Sequence, residues 1–294
     1  MSGFDQLQIF ETACPRLLGL AYRILGSRAD AEDAVQDTFL KWQNADVSSI
    51  DNPSAWLTTI CTRHCLDLLR AAHRSRVNYV GSWLPEPIHL AVDNEAERNA
   101  ELSSSLTTAF LLILERLTPK ERAAYLLHEI FEMPYPDIAK TLELEEAACR
   151  KLVSRAKQHI DQAKVRHVAP AERQDELLSA FHFAIMNGET SQLATLLSDD
   201  IRFTADGGGK VSALLEVLHG KSDVLAFIER LHSFWKNLEW RGININGTRG
   251  VLILEGGEVN AAISFAYDVT NHLSEIYVVR NPDKLTHLDI APLQ

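Results

Sequence analysis

The sequence predicts two all-α domains followed by an α+β domain, on three observations. Up to about residue 168 the apolar residues recur at helical spacing. That pattern breaks once, at N-Y-V-G-S-W-L-P-E-P-I (78–88), where two prolines and a glycine exclude a continuous helix. After Pro170 two further helical stretches give way to short strands separated by Gly and Asn, the order of an α+β unit. A length of 294 residues allows each part its own core.

The helices follow in order. Leu17, Leu18, Ala21, Ile24 and Leu25 share one face of the first. The second is expected to take Asp30 as its N-cap and to bury Ala34, Val35, Thr38, Phe39 and Trp42. The third opens with Asn52 as cap and Pro53 at the first helical position. Its inner face reads as Leu57, Ile60, Cys61, His64 and Leu68. Past the break, helices resume at Leu102, and Thr118-Pro119 caps another. A short helix over Tyr135–Leu142 precedes a longer one from about Glu145 to His167. In the last part, Asp175–Asn187 and Ser191–Leu197 read as helical, and strands turn at Asn246-Gly247 and Gly256-Gly257.

Composition narrows the function. No apolar run nears the roughly 20 residues that span a bilayer. The start, M-S-G-F-D-Q-L, lacks a basic segment and a cleavage site, so no membrane role and a cytoplasmic setting are expected. Four scattered cysteines make no disulfide scaffold. Cys61 and Cys65 stand one helical turn apart around His64, but no second pair at ligand spacing is near, so they read as helix interior and no metal is expected. A net charge of −11 argues against a general nucleic-acid coat. Between residues 150 and 166, however, Arg150, Lys151, Arg155, Lys157, Lys164 and Arg166 face Asp161 alone. One basic helix in an acidic chain predicts a focused contact.

That helix closes a helix-turn-helix pattern. Ile138, Ala139 and Leu142 point inward from the first helix, Leu144 fills the turn, and Cys149, Leu152, Val153, Ala156 and Ile160 line the second. Arg150, Lys151, Ser154 and Lys157 lie opposite, with Arg155 at the flank, the residue types that read guanine edges and phosphates in a major groove. D-G-G-G-K (206–210) invites a phosphate-loop reading, but Val211 stands where the magnesium hydroxyl would be needed and no glycine sits five residues before Gly209. It is expected to be a tight turn that presents backbone amides and Lys210 to another part of the chain, and no cofactor is expected.

D-A-E-D-A-V-Q-D-T-F-L-K-W, L-T-P-K-E-R-A-A-Y-L-L-H-E-I-F and the helix-turn-helix together resemble the bacterial extracytoplasmic-function sigma factors. W-L-P-E-P (83–87), D-G-G-G-K and N-P-D-K-L (281–285) resemble the signatures of a subgroup with a fused SnoaL-like domain of the NTF2-like fold. The resemblance implies sigma domain 2 over 1–77, a linker over 78–100, sigma domain 4 over 101–168 and a SnoaL-like regulatory domain over 171–294. It implies RNA polymerase core as a partner, through the β′ clamp helices and β flap, with Asp33, Gln36 and Asp37 on the clamp-binding face. Promoter DNA is the other implied partner. Asn44, Ser48, Ser49 and Asp51, with Trp56 beyond them, fall where the family captures a minus-ten base, and Arg63, Arg70 and Arg74 could follow phosphates. Arg150, Lys151, Ser154, Arg155 and Lys157 would read the minus-thirty-five element. Trp83, Leu84, Pro85, Glu86 and Pro87, the turn Asp206, Gly207, Gly208, Gly209 and Lys210, and the tail Asn281, Pro282, Asp283, Lys284 and Leu285 would form a regulatory contact.

The alternative is an enzyme or a small-ligand sensor fused to a DNA-binding module. Asp206, Asp268 and Glu275, with His272 and Tyr277, are the candidate pocket residues, but no spacing marks a base and its partner. Reversing the charge of both Asp33 and Asp37 is expected to abolish association with core polymerase while the melting temperature moves little. Normal association of the double variant in a pull-down with core would remove this helix from the interface.

Overall fold

The computed structural model describes residues 3–76, 79–89, 104–163 and 167–288. They form two compact units: residues 3–76 with 113–163, and residues 79–89 and 104–112 with 167–288. No helix among the described residues is long and apolar enough to cross a membrane.

The first unit is all helical. Helix α1 (Gly3–Leu25), α2 (Arg28–Gln43) and α3 (Pro53–Arg76) bury Leu17, Leu20, Ala21, Ile24 and Leu25 against Ala34, Val35, Leu57 and Cys61. The cap of α2 is Ser27, whose hydroxyl accepts from the Asp30 amide, and Asp30 sits in the first turn. A hydroxyl one step outside the helix reaches the orphan amide that Asp30, already inside, cannot. Asn52 does cap α3, accepting from the Ala55 amide at 3.1 Å. The buried face of α3 is rotated from the expected stripe: Thr58, Thr62, Cys65, Leu66 and Leu69 are buried, whereas Ile60, His64 and Leu68 are half-buried. Four neighbouring helices pack against this one, which widens its interior arc beyond one stripe.

Helix α4 (Thr108–Leu114) contains the boundary between the units, and α5 (Pro119–Tyr125) carries a capping box of Thr118 and Glu121. A π-helical segment, Leu126–Ile130, continues α5. Buried Arg122 donates from Nη1 to the Ile24 carbonyl at the end of α1 and to Glu115, each at 2.6 Å. One guanidinium thus satisfies a helix terminus and binds α5 to α1. The helix-turn-helix follows as α6 (Tyr135–Leu142) and α7 (Glu146–Ala163), with Glu143 in the left-handed region at φ 55° between them.

The second unit is a six-stranded sheet in the order β2-β1-β6-β5-β4-β3, built from β1 (Leu197–Asp206), β2 (Leu218–His219), β3 (Glu239–Ile245), β4 (Thr248–Glu255), β5 (Glu258–Tyr267) and β6 (Leu273–Val279). Only β1 and β6 pair in parallel. Helix α8 (Ala171–Asn187), α9 (Ser191–Ala194) and α10 (Lys221–Trp235) complete it. Leu197, expected in a helix, starts β1, and α10 has no counterpart in the expected elements. Val251, Ile253, Ile263, Phe265, Ile276 and Val278 pack under α8 and α10. Alternate residues Leu252, Leu254, Ala262, Tyr277 and Val279 face the other way and are buried too, by Leu84, Ala109, Leu285 and Leu288. Burial on both faces explains the unbroken apolar run V-L-I-L in β4. The expected turns form at Asn246-Gly247 and Gly256-Gly257, all four residues at positive φ.

Candidate nucleic-acid interface and the strap over the sheet

On α7, Cys149, Val153, Ala156 and Ile160 are buried, while Arg150, Lys151, Ser154, Arg155 and Lys157 are exposed together on the opposite side. Leu152 is half-buried. Arg150 donates twice to Glu146 Oε1, from Nη2 at 2.5 Å and from Nε at 3.2 Å. Lys157 reaches Glu129 Oε2 at 2.9 Å.

The stretch after α2 is polar and folded on itself. Asn44 donates to the Leu40 carbonyl at 2.7 Å. Asp46, which sequence reasoning passed over, caps the short turn Val47–Ser49 and accepts from Ser48 Oγ at 2.5 Å, while Ser49 Oγ bonds its carbonyl. Asp51 is exposed, and Trp56 packs on buried Trp42 with ring centroids 5.5 Å apart. On α3, Arg70 pairs with Asp67 at 2.8 Å, and the side chain of Arg74 lies outside the described residues. Arg63 is engaged across the unit by α6. It donates to the Lys140 carbonyl at 2.7 Å and the Thr141 carbonyl at 3.0 Å, and lies 3.1 Å from Glu143. Beside it the hydroxyls of Thr59 and Thr141 are 2.9 Å apart. These carbonyls end α6, so the guanidinium caps the first helix of the helix-turn-helix where its dipole favours a cation. Asp33, Gln36 and Asp37 are exposed on α2, with Asp37 3.1 Å from His64 of α3. Among the described residues no three His, Cys, Asp or Glu side chains gather as a metal site.

In the second unit, residues 79–89 run as a strap over the sheet face opposite α8 and α10. Leu84, Pro85, Glu86 and Pro87 are buried and Trp83 is half-buried. The strap is held at both ends. At one, Asn246 of the β3–β4 turn accepts from the Ile88 amide at 3.0 Å and donates to the Leu106 carbonyl at 3.1 Å. At the other stands Asp206, fully buried at the end of β1. Its Oδ1 accepts from Tyr79 Oη at 2.6 Å and the Gly208 amide at 3.0 Å. Its Oδ2 accepts from the Leu84 amide at 2.9 Å and Lys284 Nζ at 2.7 Å.

Lys284 also donates to the Leu84 carbonyl at 2.6 Å and lies 4.4 Å from the Trp83 ring centroid and 5.0 Å from that of Tyr79. Burial first, then the Asp206 hydrogen bond and charge, raise the Tyr79 phenol above its ordinary value, which keeps it a donor. Lys210 meets Asp283 of the tail at 2.5 Å. The glycines have a steric reason: a Cβ on Gly208, at φ 61°, would fall 2.4 Å from Asn281 Nδ2. The D-G-G-G-K turn closes on itself, the Lys210 amide donating to the Gly207 carbonyl at 3.0 Å, but it does not join two strands directly, because β2 starts only at Leu218.

The candidate pocket acids are not brought together. Asp206 pairs in register with Val279 at one end of β6, whereas Asp268 bonds His272 just before the other end. Glu275 is taken by Arg202 of β1, and Tyr277 lies in the core beneath the strap. Asp268 is bonded within its own turn to Thr270.

A Sigma-70 region 2 family model matches residues 9–75, and a Sigma-70, region 4 model matches residues 107–160. The chain is 36% identical over 221 residues to the ECF RNA polymerase sigma factor SigJ of Mycobacterium tuberculosis, covering 74% of this chain and 70% of that one. It is 34% identical over 188 residues to the probable ECF RNA polymerase sigma factor SigI of the same species, covering 63% and 64%. The crystal structure of Mycobacterium tuberculosis SigJ superposes with a TM-score of 0.74 at 31% identity, over 95% of this chain and 98% of that one.

Asp206→Ala is expected to destabilise the second unit by about 3–5 kcal/mol, since it strands an ammonium and three other donors at a buried site. Tyr79→Phe, which removes the phenol's hydrogen bond to Asp206 and the one it accepts from Asn281, is expected to cost about 2 kcal/mol. Urea unfolding followed by tryptophan fluorescence measures both; equal, small losses would mean that the carboxylate does not hold the strap.

Proposed function

The chain belongs to the ECF RNA polymerase sigma factors: it directs core polymerase to specific promoters and initiates transcription, and we propose that its own C-terminal domain regulates that activity by holding the chain between the two sigma domains. The single observation that carries this reading is the set of donors on Asp206, drawn from the strap, the D-G-G-G-K turn and the tail. Strap residues 79–89 lie in sequence between the family matches at 9–75 and 107–160. Seated on the sheet, they lend no free length to the connection between the sigma domains. Released, residues 79–89 would add about 11 residues of flexible chain to that connection, with a mean span of roughly 17–20 Å. The effective concentration of one domain near the other's DNA element would then change without any new contact. A few kcal/mol between the two states is enough for such a switch.

Within this reading, Arg150, Lys151, Ser154, Arg155 and Lys157 meet the minus-thirty-five element, and the 44–51 loop with Trp56 meets the minus-ten element. Asp33, Gln36 and Asp37 meet the polymerase clamp helices, in the cytoplasm where polymerase and chromosome are. Exposure of the named side chains on α2 and α7 and of Asn44, Ser48, Ser49 and Asp51 supports the reading. The sigma-factor relatives are not enzymes, and the scattered acids of the second unit supply no base-and-partner pair that would favour catalysis. Arg63 points to a second level of control. The N–H groups it gives to α6 are unavailable to a phosphate, so we read the contact as a closed arrangement that promoter DNA must open.

Two experiments test this, using run-off transcription with core polymerase from a promoter mapped by the factor's own selection. Tyr79→Phe and Lys284→Met, which loosen the strap, are expected to change promoter activity severalfold. Unaltered transcription, with Trp83 fluorescence showing the strap released, would sink the regulatory reading. Thr59→Cys with Thr141→Cys, placed where the native hydroxyls are 2.9 Å apart, is expected to silence the oxidised factor and to restore activity on reduction. A cross-linked factor that transcribes like the reduced one would show that the closed contact need not open.

A further inference from the structure

We infer that Tyr135 is a positioning residue for Arg150, holding its guanidinium so that one donor edge faces the groove ready-formed. The inference rests on α7 being the recognition helix. Tyr135 is not on that helix: it is the first residue of α6, half-buried, and belongs to the entry of the helix-turn-helix. His128, from the π-helical segment, stacks on it with ring centroids 4.1 Å apart and planes 32° apart. The imidazole is itself fixed, its Nδ1 3.2 Å from the Met133 carbonyl. Arg150 Cζ lies 4.2 Å from the Tyr135 ring centroid. The phenol ring is therefore anchored from the helical body and offers the guanidinium a face.

Glu146 supplies the second constraint. Both of its contacts to Arg150 use one carboxylate oxygen and engage Nε and Nη2. A guanidinium carries five N–H groups. With Nε–H and one Nη2–H given to Glu146, the remaining Nη2–H and the two on Nη1 form the far edge, the fork that fits N7 and O6 of guanine. The side chain is otherwise 58% exposed, so without ring and carboxylate its rotatable bonds would all have to be frozen on contact with DNA. The ring fixes the plane, and the acid fixes the rotation within that plane. Arginine gains from this where lysine would not, because only a planar cation stacks and forks at once.

The test is a minus-thirty-five element substituted one base pair at a time, bound by the full chain with core polymerase. Arg150→Ala is expected to flatten the base preference at one position. Tyr135→Leu is expected to weaken preference at that same position by about two- to fivefold, the range of an exposed cation–π contact, leaving the other positions unchanged. Tyr135→Phe is expected to retain the preference, and Tyr135→Leu is expected to add nothing in an Arg150→Ala background. Should the leucine variant lose its thermal transition, Tyr135→Met repeats the comparison with an unbranched side chain. Full preference in the ring-less variant, or an equal loss at every position, would overturn the positioning role. If Arg150→Ala itself flattens no position, the recognition-helix reading falls and this inference with it, a pattern distinct from failure of the stack alone.

Discussion

The second unit depends on one buried carboxylate. Asp206 sits at the end of β1 with no exposed surface, and four donors converge on its two oxygens: a phenol, two backbone amides and an ammonium. An asparagine offers one oxygen and would turn an NH2 toward two of those donors, so only a carboxylate satisfies the site. A buried charge persists where it is both paired and hydrogen-bonded, and Lys284 supplies the pairing. Because the donors come from three separated segments, none of the three can leave without exposing an unsatisfied group. The glycine triplet follows from the same constraint: the chain must turn at once after Asp206 and pass against Asn281, where a Cβ has no room.

The strap changes what the sheet can do. Its second face, Leu252, Leu254, Ala262, Tyr277 and Val279, is apolar and would be a large exposed patch if left bare. The chain covers it with Leu84 and Ala109 from the connecting stretch and with Leu285 and Leu288 from the tail. Thr108 and Ser264 complete the seam with a buried hydroxyl pair 2.9 Å apart. The strap is therefore part of a hydrophobic core, and the release proposed for it would carry the cost of uncovering that core as well as of breaking the Asp206 cluster. Such coupling would make strap release cooperative, because ring, carboxylate and apolar cover would be lost together.

Much of this was legible in the sequence where local chemistry decides the outcome. Thr118-Pro119, Asn52-Pro53, Asn246-Gly247 and the period of Tyr135–Leu142 each fix an element through the backbone preferences of a few neighbouring residues. Capping of α2 was misread by three residues, because Ser27 and the acids of the first turn compete and only geometry separates them. Helix α10 and the width of α3's buried arc were hidden because tertiary cover, not periodicity, decides them. In the candidate sites the exposed faces of α2 and α7 follow from their helical stripes. Tyr79, Asn246, Thr59 and Thr141 had no sequence signal, since each acts through a partner 82 or more positions away in the chain. Asn246 illustrates the limit: its neighbour Gly247 announces the turn, but nothing local announces the side-chain clasp on Ile88 and Leu106.

The donors proposed for DNA share a further property: most already have acceptors inside the chain. Arg63 has two carbonyls and Glu143, Arg150 has Glu146, Lys157 has Glu129, and Ser48 has Asp46. In a chain of net charge −11 the partners of Arg63, Lys157 and Ser48 take up donors that a phosphate would otherwise use, whereas Glu146 engages the Nε and Nη2 edge of Arg150. Their strengths differ. Exposed pairs such as Lys157–Glu129 are worth about 0–1 kcal/mol and exchange readily, whereas hydrogen bonds from a charged donor such as Arg63 are worth about 1.5–3 kcal/mol. Random DNA, offering phosphates alone, gains little by displacing partners that are already paired. A promoter adds base contacts at both elements and can meet the larger cost of freeing Arg63. On the proposed assignment of these donors to promoter DNA, internal pairing would lower affinity for the many wrong sites more than for the right one, a route to selectivity for an acidic protein with one basic helix.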